Sequence, residues 1–128
     1  DLLNDIAEAE IQKLFDLTLP AFDPANNRAG ALTLCNYVAE HRALWTRLLA
    51  GGAAAKLREE FLRKTRELAA DLGSRHDWLP PEMGSIFGAS STLDLLAWWL
   101  QQDNPIPVEQ LATIHERLVV RPLMESYE

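Results

Sequence analysis

The stretch that decides the fold is Leu93–Leu111, LDLLAWWLQQDNPIPVEQL. Its first eight residues carry one charge, Asp94, and two adjacent tryptophans, Trp98 and Trp99. Neighbouring positions on a helix point about 100° apart, so side-by-side indoles cannot share one narrow core stripe. On a helical wheel that extends back to Pro81, Ile86, Ala89, Leu93, Leu96, Ala97 and Leu100 gather into an ordinary core stripe. Leu95 and Trp99 fall on a second strip with Gly88 and Thr92, while Phe87 and Trp98 share a third direction. The polar arc holds only Ser90, Asp94 and Gln101. A helix apolar almost all round is a buried one, and a chain of 128 residues covers one side of it, or two. The remaining side then needs a second copy. The residues 103–107, DNPIP, break the chain, and Pro107 opens a last helix whose stripe is Val108, Leu111, Ala112, His115, Leu118 and Val119, flanked by Ile114. Two helices joined by a short turn form an antiparallel hairpin, and two hairpins related by a two-fold axis form a four-helix interface. The expectation is that Trp99 faces the partner copy or the rim of that interface and Trp98 faces inward with Phe87. The alternative is a monomer whose own loops cover both.

Outward from this stretch, helix signals dominate and no alternating strand pattern of useful length occurs. The first segment, Asp1 to about Leu17, keeps Leu3, Ala7, Ile11, Leu14 and Thr18 at helical spacing, and Pro20 ends it. Asp23 as N-cap and Pro24 at the first helical position start a second segment that runs to about Glu40. A short third one carries Leu44, Trp45, Leu48 and Leu49 and stops at Gly51–Gly52. The fourth, about Ala53 to Leu72, lines up Leu57, Phe61, Leu62, Thr65, Leu68, Ala69 and Leu72 and is closed by Gly73. Its other face is charged, with Glu59–Arg63 and Glu60–Lys64 spaced for i,i+4 pairs. Pro80–Pro81 starts the fifth, and the last weakens at Arg121–Pro122. The expected fold is therefore all-α: one domain over residues 1–128, an antiparallel bundle of about six helices with the last two in a dimeric four-helix interface.

Composition bounds the function. Apolar residues make up 48% of the chain, which places it among folding sequences rather than disordered ones. No apolar run approaches the roughly 20 residues that cross a bilayer, and no signal peptide opens the chain, so no membrane partner is expected. A lone Cys35 permits no internal disulfide and fits a reducing cytoplasm. The net charge of −7 repels phosphate backbones, so DNA binding is not expected of this polypeptide itself. The opening DLLNDIAEAE, with no initiator Met and no cap before Leu2, reads as the middle of a helix whose upstream part is missing.

Two passages resemble one family. YVAEHRALWTRLLAGG (37–52), followed by a charged amphipathic helix, is similar to the middle of the regulatory domain of tetracycline-repressor-like (TetR) transcription factors. LDLLAWWLQQDNPIPVEQLATIHERLV (93–119) is similar to their last two helices, where an apolar helix ending in tryptophan and a short polar turn precede an x-E-x-L helix. The resemblance spans about Leu2 to Val120. It departs at Ile106, which stands where a Ser or Asp would cap the last helix, and the family's helix-turn-helix head is absent from these residues. It implies a ligand-sensing, homodimerising domain that reaches DNA only through that head. The first helix would be the connector, and a small apolar or amphipathic ligand among the first, second, fourth and fifth segments would shift it. The residues implied for the pocket are Leu14, Asn36, Phe61, Thr65, Phe87 and Trp98. Those implied for the dimer are Leu95, Leu96, Trp99, Leu111, Ile114 and Leu118.

Individual side chains leave alternatives open. His115, inside an apolar stripe, either senses pH or bonds a ligand, or is a satisfied core histidine. Thr65 either bonds its own backbone or offers a hydroxyl to a cavity. Asn36 either orients a ligand or sits on a partly exposed face with Arg28. His41 and His76 read as solvated, and Cys35 has only Arg28 nearby to activate it. No Glu-x-x-His, His-Glu-x-x-His, Cys-x-x-Cys, phosphate loop or nucleophile elbow occurs, so no enzyme, metal or cofactor is expected. A free-standing helical interaction module without ligand is the alternative to a sensor; a packed interior with no void larger than a water would favour the module, and an elongated apolar cavity the sensor.

Overall fold

Asp1 caps the first helix: its Oδ1 accepts from the Leu3 backbone N–H at 2.9 Å, so the expectation of no cap before Leu2 does not hold. The computed structural model describes residues 1–21, 25–72 and 77–124. These form an all-α bundle, with no strand among them: α1 (Leu2–Ala21), α2 (Asn27–Glu40), α3 (Arg42–Ala50), α4 (Ala54–Leu72), α5 (Pro81–Leu100) and α6 (Val108–His115). A widened turn, Glu116–Val120, carries α6 into the short α7 (Arg121–Met124). Pro20 does not end α1 but sits in its last turn. The expected cap at Asp23–Pro24 and the stop at Gly73 lie outside the described residues, but α2 begins at Asn27 rather than Pro24.

α1 packs on α2 and α4, α4 on α5, and α2 on α6 and the turn beyond it. The core is built from the spacings expected. Ala7, Ile11 and Leu14 of α1, Leu57 and Phe61 of α4, and Leu93 and Leu96 of α5 are all buried. Burial of each large side chain contributes roughly 1.5–3 kcal/mol relative to exposure.

The adjacent tryptophans point opposite to the expectation. Trp99 is buried within its own subunit, and Trp98 and Phe87 are 48% and 56% exposed. The cause is the strip Gly88–Thr92–Trp99, which forms the seam between α5 and the last helical segment. A Cβ on Gly88 would lie 3.0 Å from Cδ1 of Leu123. Thr92 Oγ1 and His115 Nε2 are 2.8 Å apart. The Trp99 indole donates to the Ile106 carbonyl at 2.9 Å. Arg42 lies 4.8 Å over the Trp99 ring and donates to the carbonyls of Leu100 and Gln102 at 3.0 and 3.2 Å, so it also satisfies the end of α5. Leu96 and Leu111 are buried in the same interior, so three of the six side chains implied for the dimer are already covered within one chain. Ile86, placed on the core stripe, is 38% exposed instead.

Leu118 is 68% exposed for a backbone reason. In the widened turn the Arg121 N–H bonds the Glu116 carbonyl, five residues back rather than four. Pro122 lacks an N–H, and its ring would clash with the Leu118 carbonyl in a regular helix. The wider turn shifts the phase, so His115 and Val119 stay buried four residues apart and Leu118 swings out.

On α4 neither expected i,i+4 pair is among the observed bridges. Glu60, assigned to the solvated face, is buried, with Arg63 at 2.7 Å and Lys56 at 3.4 Å. The bonded Arg63 guanidinium holds the Glu60 carboxyl below its ordinary range. No helix among the described residues is long and apolar enough to cross a membrane.

Candidate functional site

Every helix except α3 contributes to a cavity of about 150 Å³. α1 supplies Leu14, Phe15 and Thr18; α2 supplies Asn27, Gly30, Ala31 and Leu34; α4 supplies Phe61, Thr65 and Leu68. Gly88 and Thr92 of α5, His115, and Val119, Val120, Leu123 and Met124 beyond it line the rest of the chamber, which is partly open. The space exists because α2 and α5 present small residues there: Gly30, Ala31 and Gly88 leave room that larger side chains would fill. Phe15 and Phe61 form one wall, edge to face with ring centres 5.3 Å apart.

Two of the lining hydroxyls are already used. Thr18 donates to the Leu14 carbonyl at 2.7 Å and Thr65 to the Phe61 carbonyl at 2.8 Å, each one turn back on its own helix. Thr65 therefore combines both readings: it lines the cavity and bonds its own backbone. Thr92 is engaged with His115. Among the described lining residues two further polar atoms stand out, His115 Nδ1 and Asn27 Oδ1. Both are buried without a hydrogen-bond partner; the other such side-chain atom among the described residues, Glu116 Oε2, is not on the wall. Burial pushes the His115 imidazolium down to about 4, so the ring is neutral near pH 7. Among the described residues no carboxylate, ammonium or guanidinium lines the chamber.

Of the residues implied for the pocket, the structure brings together Leu14, Phe61 and Thr65. Asn36 does not reach it; it lies half-buried on a different face of α2 from Ala31 and Leu34. Phe87 and Trp98 are exposed on the outer side of α5. Asn27, Gly30 and Ala31 also line the chamber, and their small or polar side chains leave no hydrophobic periodicity in the sequence. Thr92 was visible on the strip it shares with Trp99, but its partner came from another helix.

Cys35 is fully buried, which pushes its thiol up to about 12 and leaves it inert. Arg28 binds Thr113 Oγ1 and the Glu109 carbonyl, joining α2 to α6. Among the described residues no group of three His, Cys, Asp or Glu side chains is arranged to hold a metal ion. No family model matches the chain, nor does any curated protein or solved structure.

Proposed function

We propose that this chain is the small-molecule-sensing, dimerising regulatory domain of a TetR-like transcriptional regulator. An apolar or amphipathic ligand in the cavity would shift α1, the connector, and so change the DNA affinity of heads that lie outside these residues. The observation that carries this reading is the cavity itself. A void of about 150 Å³ is larger than a water, and a plain interaction module has no use for one. Its wall includes three residues of α1, so cavity shape and α1 position vary together. A ligand that prefers one α1 position over another is all that two-state coupling requires.

Homodimerisation is supported by apolar surface left over on the last helices. Leu118, Trp98 and Phe87 are exposed, and Leu95 and Ile114 are half-buried. Trp98→Asp is expected to yield a folded monomer, because this side chain is exposed in the single chain, whereas Trp99→Asp would disrupt the fold itself. Sedimentation velocity at micromolar concentration checks this. A wild-type chain that sediments as a monomer overturns the dimeric part. For the sensing part, p-xylene is expected to raise Tm saturably, as any ligand selective for the folded state does. The same exposed Phe87 and Trp98 favour the second reading, a helical protein-interaction module without ligand, which predicts no response to apolar probes.

A further inference from the structure

We propose that the cavity takes a neutral, single-ring aromatic molecule bearing a hydroxyl group, a phenol, whose hydroxyl pairs with Nδ1 of His115. The inference rests on the sensor reading above and narrows its ligand to a chemical class.

Four observations converge on it. The first is size: apolar protein cavities of roughly 150 Å³ accommodate benzene, so this chamber suits one substituted ring rather than a fused polycycle. The second is charge. Among the described lining residues none is an ionised group that could compensate an anion or a cation, and burying an uncompensated charge is prohibitive. The third is the wall itself, where the Phe15–Phe61 edge-to-face pair offers further edge or face contacts to a third ring.

The fourth is the orphaned polar group. His115 is 5% exposed, lines the chamber, and has a partner at Nε2 but none at Nδ1. A buried imidazole nitrogen left unpaired is costly, so it marks where a ligand atom belongs. The Thr92 contact at 2.8 Å holds the ring in place, which makes Thr92 a positioning residue. A hydroxyl both donates and accepts, so it satisfies Nδ1 in either tautomer of the ring. Asn27 Oδ1, unpaired on the same wall, offers a second acceptor for a donor on the ligand.

The test compares 4-methylphenol with p-xylene, which matches it in shape but lacks the hydroxyl, by calorimetric titration of the purified chain. Both are expected to bind the wild type. In His115→Leu, p-xylene affinity is retained and 4-methylphenol affinity falls about tenfold, the size of one net hydrogen bond. Independently of any variant, ¹⁵N spectra of the wild-type histidines should show Nδ1 of His115 responding to 4-methylphenol and not to p-xylene. Binding of p-xylene alone, or a His115 ring that ignores 4-methylphenol, overturns the phenol inference and leaves the sensor reading standing. Tighter binding of 4-methylbenzoate than of 4-methylphenol overturns the neutral-ligand assignment. If neither uncharged probe binds, the sensor reading falls as well.

Discussion

α1 and α2 meet twice, and the two meeting places are built on opposite terms. Nearer the start of α1, Glu10 is buried at 4% exposure with its needs met. Its Oε1 accepts from the Tyr37 hydroxyl at 3.0 Å and the Trp45 indole at 3.1 Å, and Lys13 stands 3.6 Å from Oε2. His41 stacks on the Tyr37 ring at 4.3 Å. Burial, reinforced by the Glu10 bond and charge, pushes the Tyr37 hydroxyl up to about 12, so it stays a donor. One to two turns further along α1, Leu14, Phe15 and Thr18 face a void with two unpartnered polar atoms. The same pair of helices is thus locked at one end and left unfinished at the other. Buried polar groups stabilise a fold when every member is paired, and an open site is tolerated where the rest of the bundle holds it.

The largest way to break this contrast is at the lock. Glu10→Leu removes the acceptor for two buried donors and is expected to cost about 4 kcal/mol, read from the urea midpoint. A loss below about 1 kcal/mol would mean that the cluster does not anchor the fold.

Next in size is the pH dependence of the unfinished end. The unfolded His115 imidazole takes up a proton below about 6.5, whereas the buried one resists until about 4. The unfolded chain therefore binds more protons in that window, and stability falls as the pH drops through it, by up to about 3 kcal/mol. Since carboxylates titrate there too, the informative quantity is the difference from His115→Leu, which should lose this component of the slope. Equal slopes would place the ring in water rather than in the wall.

Filling the void should act in the opposite direction. Ala31→Leu projects into the chamber from α2 and is expected to add about 1 kcal/mol while abolishing p-xylene binding. A variant that still binds the probe would show that the chamber is not where binding occurs. The smallest effect is at Thr65. Its hydroxyl bonds its own helix, so Thr65→Val should change stability by no more than a few tenths of a kcal/mol. A larger loss would give that hydroxyl a role in the chamber.

How much of this could be read from the residues follows a physical divide. Helix positions were legible because prolines, glycines and period-3.6 stripes are local signals, and α4 shows them best. The orientation of α5 was not legible. A helix apolar on nearly every side carries no phase information, and only the approach of Leu123 and His115 to Gly88 and Thr92 decides which indole is inside. Glu10 was missed for the opposite reason. It lies in an acidic opening stretch where a solvated carboxylate is the ordinary expectation, and its partners are 27 and 35 residues away. At the cavity, large apolar members such as Leu14 and Phe61 were found, while Gly30 and Ala31, which create the space, leave no mark in a hydrophobic pattern.

Pro122 has an effect beyond its own turn. By denying the ladder a single donor, it obliges the backbone to open by one residue, and the side chain brought outward is a leucine. Part of the greasiness on the outside of this protein is therefore a by-product of ring chemistry inside the chain, four positions away. A proline four positions along the chain from that leucine thus helps to determine how sticky the surface is.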